Sequence, residues 1–195
     1  MVNTKIRYLL FSNYLNLLGF SIFTPLFAIF VLNLRNDPSL VGLAWGVNLY
    51  AAALMILLFG KYEDRWRHKE QLVVIGFFLL AAGGAAYLLV HSIWQLFAIQ
   101  AFNAIGTGVL TPAWRTVYAK SEDKGRETLE WSFVDGGAKF FSATGAVIGG
   151  LILKFYSFRA IFILICLIQL LAGIVALSLL KNKSKREAEI NLSLS

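Results

Sequence analysis

Apolar residues run along the chain in six long stretches that short polar segments separate. The stretches cover about Tyr8 to Leu34, Ser39 to Gly60, Gln71 to Val90, Ile93 to Tyr118, Leu129 to Leu153 and Phe158 to Leu180. A helix that rises about 1.5 Å per residue needs about 20 apolar residues to cross a hydrocarbon core of roughly 30 Å. The pattern therefore predicts an all-α membrane protein with six transmembrane helices over residues 1–180, followed by a polar, disordered cytoplasmic tail over residues 181–195.

Composition supports a membrane protein and argues against enzymes. Hydrophobic residues make up 58% of the 195 residues, above the roughly 45–50% typical of soluble domains. The single cysteine, Cys166, lies inside the sixth stretch, so it offers neither an intrachain disulfide nor a cysteine metal cluster. The sequence contains no Gly-x-Ser-x-Gly or His-Glu-x-x-His motif, and its two histidines, His68 and His91, lie in separate loops. We predict no enzyme activity, no metal site and no cofactor.

Basic residues are concentrated on one side of the predicted membrane. Four segments on that side hold fourteen of the 18 Lys and Arg residues: Lys5, Arg7, Lys61, Arg65, Arg67, Lys69, Arg115, Lys120, Lys124, Arg126, Lys181, Lys183, Lys185 and Arg186. Cytoplasmic loops carry such an excess, so both termini are predicted to be cytoplasmic in a multi-pass protein of the cell membrane. The net charge of +7 is then a topology signal, and we expect no nucleic-acid partner.

The loop GKYEDRWRHK, from Gly60 to Lys69, resembles the signature loop of the major facilitator superfamily, which joins the second and third helices. Gly60, Asp64 and Arg65 match that pattern, whereas Arg67 stands at the usual position of a glycine. QAFNAIGTGVLTPAW, from Gln100, is similar to the family's Gly-rich fourth helix. GAVIGG, from Gly145, is similar to an element of the fifth helix found especially among antiporters.

The resemblance covers the whole chain and implies the amino-terminal six-helix half of the fold, a 3+3 inverted repeat. The family normally has twelve spans in two similar halves, and spans 1, 2, 4 and 5 line its central cavity. A secondary transporter, an antiporter or a uniporter, is therefore the expected function. Its partners would be membrane lipid, a small-molecule substrate, and either a second copy or a different six-span half.

Asp135 and Lys139 are charged residues inside the fifth stretch. Each such group costs about 2.5–3.5 kcal/mol on insertion scales, so it usually marks a functional site. Their i, i+4 spacing allows an ion pair, and a self-neutralising pair without further function is the alternative. Amides give five more candidates for the cavity, and interhelical bonding is the alternative for each: Asn13, Asn16, Asn48, Gln100 and Asn103.

Two further groups of residues are predicted to serve packing and conformational change. Small residues let helix backbones approach in a membrane, and we assign this role to Gly106, Gly108, Gly145, Gly149 and Gly150. The signature loop is expected to act as a latch through Gly60, Asp64, Arg65 and Lys69. Asp64 would accept hydrogen bonds in one state of the transporter and lose them in the other.

Three functions remain open on the sequence. A half-size secondary transporter would work by alternating access as a dimer. A truncated or split amino-terminal half would need another six-span partner. A membrane assembly protein without transport would need only a stable six-helix bundle.

Overall fold

The structure is a computed structural model that describes residues 3–193, with side chains through Leu180. All regular elements in that part of the chain are helices, and six spans are long and apolar enough to cross a membrane, which confirms the predicted number. Span 1 comprises helices Thr4–Phe23 and Phe27–Leu34, and the other helices are Ser39–Glu63, Lys69–Ala86, Ile93–Ala119, Glu127–Phe155 and Phe158–Ser193. The side chains of residues 181–195 lie outside the described part of the structure. The predicted disorder of this tail stays a prediction.

Span 1 is broken in the middle by a 3₁₀ turn over Thr24–Leu26. Pro25 has no N–H to continue the helix, and its ring restricts the preceding turn. The Thr24 hydroxyl donates to the carbonyl of Phe20 at 2.9 Å, so the chain stays hydrogen-bonded at the break. Pro112 has no such effect, because the helix of span 4 continues through it from Ile93 to Ala119.

The six spans pack in the order 2, 4, 3, 6, 1 and 5, each against the next. Exchanging spans 1–3 with spans 4–6 reverses this order and leaves every pair of neighbouring spans the same. Burial follows the same exchange: 44% of the most apolar stretch is buried in spans 1 and 4, 11% in spans 2 and 5, and 39% in spans 3 and 6. The two three-span units therefore have equivalent packing environments.

An odd number of spans per unit makes the second unit run in the opposite direction to the first. Six spans in total also bring both chain ends to one side, which we call the terminal side. The loops after spans 2 and 4 lie on the terminal side, and those after spans 1, 3 and 5 lie on the opposite side. Assigning the terminal side to the cytoplasm stays a prediction.

Two apolar cores hold the spans together at different depths. The core near the terminal side is built around Leu9, Phe77 and Tyr118. The core near the opposite side is aromatic: Phe23 contacts Tyr87 edge-on, and Tyr87 stacks on Phe162 with ring centroids 5.1 Å apart. Spans 1, 3, 4 and 6 supply most of both cores, which leaves spans 2 and 5 at the edges of the bundle.

Candidate functional site

Gln100 lies in the contact between spans 2, 3 and 4, with only 3% of its surface exposed. Its side-chain oxygen accepts a hydrogen bond from the Tyr87 hydroxyl at 3.0 Å. Its backbone carbonyl accepts another from the Asn48 amide at 3.1 Å. The Asn103 side chain lies close to the Tyr87 hydroxyl. These residues form one polar network between helices, and Gln100 has little surface for a substrate.

Asn103 also occupies a notch in span 3. A Cβ atom added at Gly83 would collide with the Asn103 side chain, so this glycine makes room for the amide. The hydroxyl of Thr107, one turn later, bonds the backbone carbonyl of Asn103 at 3.2 Å. The polar stripe on span 4 thus packs largely against neighbouring helices, because buried amides in lipid need protein partners.

On span 1 the structure brings a residue of span 6 to the predicted amides. Gln169 is 3% exposed and donates from its side chain to the backbone carbonyl of Asn16 at 3.3 Å. Its side-chain oxygen is buried without a hydrogen-bond partner among the described residues. The side chains of Asn13 and Asn16 are half-buried, and neither forms a hydrogen bond within the described part of the chain. Their side chains therefore do not join helices by hydrogen bonds within the described residues, unlike those of Asn48 and Gln100.

Asp135 and Lys139 are both exposed on span 5. Within the described residues neither forms an ion pair, so the pairing suggested by their i, i+4 spacing is not observed. One face of this helix carries four of its residues at spacings of four, seven and four: Asp135, Lys139, Ala146 and Gly150. Two charges without an ion pair among the described residues thus lie on one exposed flank of span 5.

The two acidic residues of the signature loop differ in exposure. The Asp64 side chain is 88% exposed, and its contact with Lys69 Nζ is long, at 3.7 Å. Lys69 Nζ instead donates to the backbone carbonyl of Glu63 at 2.9 Å. The first residue of the span 3 helix thus caps the end of the span 2 helix. Arg65 is exposed, and a Cβ at Gly60 would meet nothing within 4 Å.

Glu63 is the buried acid of this loop, with 4% of its surface exposed. Neither of its carboxyl oxygens has a hydrogen-bond partner among the described residues. A step of one residue in a helix turns the side chain by about 100°, so burying Glu63 leaves Asp64 in solvent. The signature loop therefore carries a buried acid beside Asp64 that the family pattern did not single out.

The glycines predicted to pack divide into two groups. A Cβ at Gly145 would lie 2.5 Å from the Leu18 carbonyl, and one at Gly149 would collide with the Ile22 carbonyl. A Cβ at Gly108 would collide with Met55 of span 2, whereas one at Gly106 would lie 3.0 Å from the Leu80 side chain of span 3. Gly150 differs, because a Cβ there would meet nothing within 4 Å. Spans 1 and 5 thus approach through adjacent turns of Gly145 and Gly149, and Gly150 faces away.

Three residues of these contacts escaped the sequence interpretation: Gln169, Glu63 and Tyr14. The signal for Gln169 was available, since it is an amide inside the sixth apolar stretch. Nothing in the pattern separates Glu63 from the charged residues around it. Tyr14 belongs to span 1 and bonds the backbone of span 5, which only the packing of the two helices reveals.

The profile of the family described as Major Facilitator Superfamily matches residues 9–193. The multi-drug resistance efflux pump PmrA of Streptococcus pneumoniae is 26% identical over 91% of this chain and 45% of its own length. The multidrug resistance protein MdtH of Cronobacter sakazakii is 28% identical over 79% of this chain and 38% of its own length. The chain thus spans about half the length, or less, of these two curated relatives.

Two further similarities concern length and fold. The uncharacterized MFS-type transporter YitZ of Bacillus subtilis is 22% identical over 80% of this chain, and the match covers 94% of YitZ. The crystal structure of the POT family transporter PepTSo aligns with a TM-score of 0.70 and 17% identity, over 90% of this chain and 37% of that one. This second likeness shows the fold of the bundle.

Proposed function

The chain belongs to the major facilitator superfamily, a family of transporters and not of enzymes, and from that premise we propose that it forms half of a secondary active transporter. In this proposal the six spans move a small solute by alternating access once a second six-span unit completes the cavity. The two halves of this fold are parallel repeats about an axis along the membrane normal. Two six-span units related by such an axis would therefore complete the fold.

The observation that carries the proposal is the exposure of Asp135 and Lys139 on span 5. Each charge facing lipid would cost about 2.5–3.5 kcal/mol on insertion scales. Covering them with a second bundle around an aqueous cavity removes this cost. Spans 2 and 5, which would face that second bundle, are also the least buried of the six.

Span 5 has a small-residue side and, next to it, a large apolar side. On the small side, which also carries Asp135 and Lys139, a Cβ at Gly150 would meet nothing within 4 Å. On the large side Phe140 and Val147 are exposed. In span 2 one face carries Gly42 and Gly46 near the opposite-side end and the exposed Tyr50 and Leu57 further along. Small residues support close approach of helices, and large apolar ones suit lipid. We therefore assign the small side of span 5, with the Gly42 end of span 2, to the second unit.

We propose a second copy of this chain as the first partner to test. A two-fold axis along the membrane normal would bring span 2 of one copy beside span 5 of the other. Gly42 and Gly46 lie near the opposite-side end of span 2, and Ala146 and Gly150 lie near the same end of span 5. Small residues would then face small residues at equal depth. A different six-span half is the alternative partner.

The substrate in this proposal is a small amphipathic organic solute. Two relatives are described as a multi-drug resistance efflux pump and a multidrug resistance protein, which supports this class. Asn13, Asn16, Asp135 and Lys139 supply the polar contacts, while Asn48, Gln100 and Asn103 hold helices together. The signature loop, on the cytoplasmic side by the charge bias, sets the equilibrium between inward and outward states.

Native mass spectrometry of the purified chain in nanodiscs tests the partner. A dimer mass is expected, and Gly150→Leu should weaken the dimer, whereas Val147→Leu on the large apolar side should not. A strict monomer over a wide concentration range would overturn the second-copy model and direct the search to a different half.

Ethidium efflux from cells that lack their own efflux pumps tests transport. Cells expressing the chain should retain less dye than cells with an empty vector, and the double variant Asp135→Asn with Lys139→Gln should abolish the difference. Val147→Ala serves as the control on the same span. If the double variant of the dimeric protein transported as well as the original, the proposed role of the charged flank would be wrong.

A further inference from the structure

The turn of span 5 that carries Asp135 and Lys139 contains two consecutive glycines, Gly136 and Gly137. Glycine is a poor helix former, and two in one turn weaken the helix locally. The helix is nevertheless continuous from Glu127 to Phe155. Some contact from outside span 5 must therefore support this turn.

Tyr14 of span 1 provides that contact in three ways. Its hydroxyl donates to the carbonyl oxygen of Phe133 at 2.5 Å. Its ring stacks on Phe141, with centroids 4.8 Å apart and planes at 10°. The ring also fills the space at Gly137, where an added Cβ would collide with it. One side chain thus contacts three successive turns of span 5.

These contacts lie on the side of span 5 away from the charged flank. Positions 133, 137 and 141 repeat every four residues and share one face. Positions 135 and 139 lie two residues further on, which at about 100° per residue places them on the far side of the helix. Holding the first face in place therefore fixes the direction in which the second face points.

We infer that Tyr14 is a positioning residue that pins the Gly136–Gly137 turn and orients Asp135 and Lys139 towards the small side of span 5. This inference rests on the proposed transport role of the charged flank. The hydroxyl adds a second donor to a carbonyl that, in a continuous helix, already accepts the N–H of Gly137. Phenylalanine at position 14 keeps the ring contacts and removes only this bond.

Hydrogen–deuterium exchange in nanodiscs tests the pinning without a substrate. Loss of one hydrogen bond should raise amide exchange of the peptide around residues 133–141 about fivefold in Tyr14→Phe. Tyr14→Leu, which also loses the stacking, should raise it further. Tyr50→Phe removes an exposed hydroxyl from span 2 and should change nothing. Exchange that stays unchanged in Tyr14→Phe, or rises equally in residues 143–155, would overturn the inference.

Cysteine labelling tests the orientation of the flank. In a Cys166→Ala background, the maleimide reaction rate at Lys139→Cys should change about fivefold on adding Tyr14→Phe, in step with the exchange. The rate at Val147→Cys should stay constant. An unchanged rate at position 139 would contradict the positioning role. Neither measurement needs transport, so normal ethidium efflux by the charge-neutral double variant would refute the proposed function and leave the pinning intact.

Discussion

The indole nitrogen of Trp114 donates a 3.2 Å hydrogen bond to the backbone carbonyl of Leu9. Both residues are buried in the core near the terminal side, and the bond joins span 4 to span 1. These two spans make few other contacts, so the bond is a specific link between them. We expect Trp114→Phe to lower the free energy of unfolding by about 1 kcal/mol.

Denaturant titration in detergent would measure this loss for Trp114→Phe. Trp94→Phe is the matched control, because Trp94 is exposed on the same helix. Equal stability of the two variants would show that the indole bond does not contribute.

The adjacent glycines of span 5 predict opposite outcomes for the same substitution. Gly149→Ala forces a methyl group against the Ile22 carbonyl, a backbone atom that cannot move aside. Such overpacking typically costs about 1–3 kcal/mol. Gly150→Ala adds the methyl group to open space and, because alanine is the better helix former, should raise the monomer's stability by up to about 1 kcal/mol. Thermal unfolding of both variants measures the difference, and a stability loss confined to Gly150→Ala would contradict the packing described for spans 1 and 5.

The bond between Tyr87 and Gln100 should appear as a coupling in a double-mutant cycle. Tyr87→Phe removes the donor, and Gln100→Leu removes the acceptor while keeping the side chain's volume. Bonds of this kind between membrane helices average about 0.6 kcal/mol and reach about 1.7 kcal/mol. We expect a coupling within that range from unfolding of the two single variants and the double variant. Additive effects would show that the two groups act independently.

In the signature loop, Lys69 is expected to matter more to stability than Asp64. Lys69→Met removes the ammonium that caps the carbonyl of Glu63, and this should cost about 1 kcal/mol. Asp64→Asn changes a solvent-exposed group at 3.7 Å from its partner and should stay within about 0.5 kcal/mol. Lys61→Met controls for loss of an exposed cation. The unfolding midpoints of the three variants measure the difference. A lower midpoint for Asp64→Asn than for Lys69→Met would contradict this account.

The apolar pattern predicted the six spans because hydrocarbon thickness imposes a length on every one of them. It could not predict which face of a span points where. A lipid-facing flank and a packed flank are both apolar in a membrane, so the alternation that orients a helix in a soluble protein is missing. Gln100 illustrates this, because the polar stripe it begins packs against helices and not against an open cavity.

The end of span 2 shows a similar limit. The family signature points to Asp64, whose latch role stays a prediction, and gives no sign that the neighbouring Glu63 is buried. Tyr14 could not be found for a different reason, since its three contacts lie about 120 residues away in sequence. The glycines were predicted as a class, but only the packed structure separates Gly149 from Gly150.

The equivalence of the two three-span units has a consequence for how the chain inserts during synthesis. Around the end of its second span the first unit carries four basic residues, Lys61, Arg65, Arg67 and Lys69, whereas the corresponding segment of the second unit carries two, Lys154 and Arg159. The two units pack alike but cross the membrane in opposite directions. The basic residues that direct insertion therefore cannot occupy equivalent positions in both units. Exchanging the loop after span 2 with the loop after span 5 would preserve every helix and should still misdirect the whole bundle.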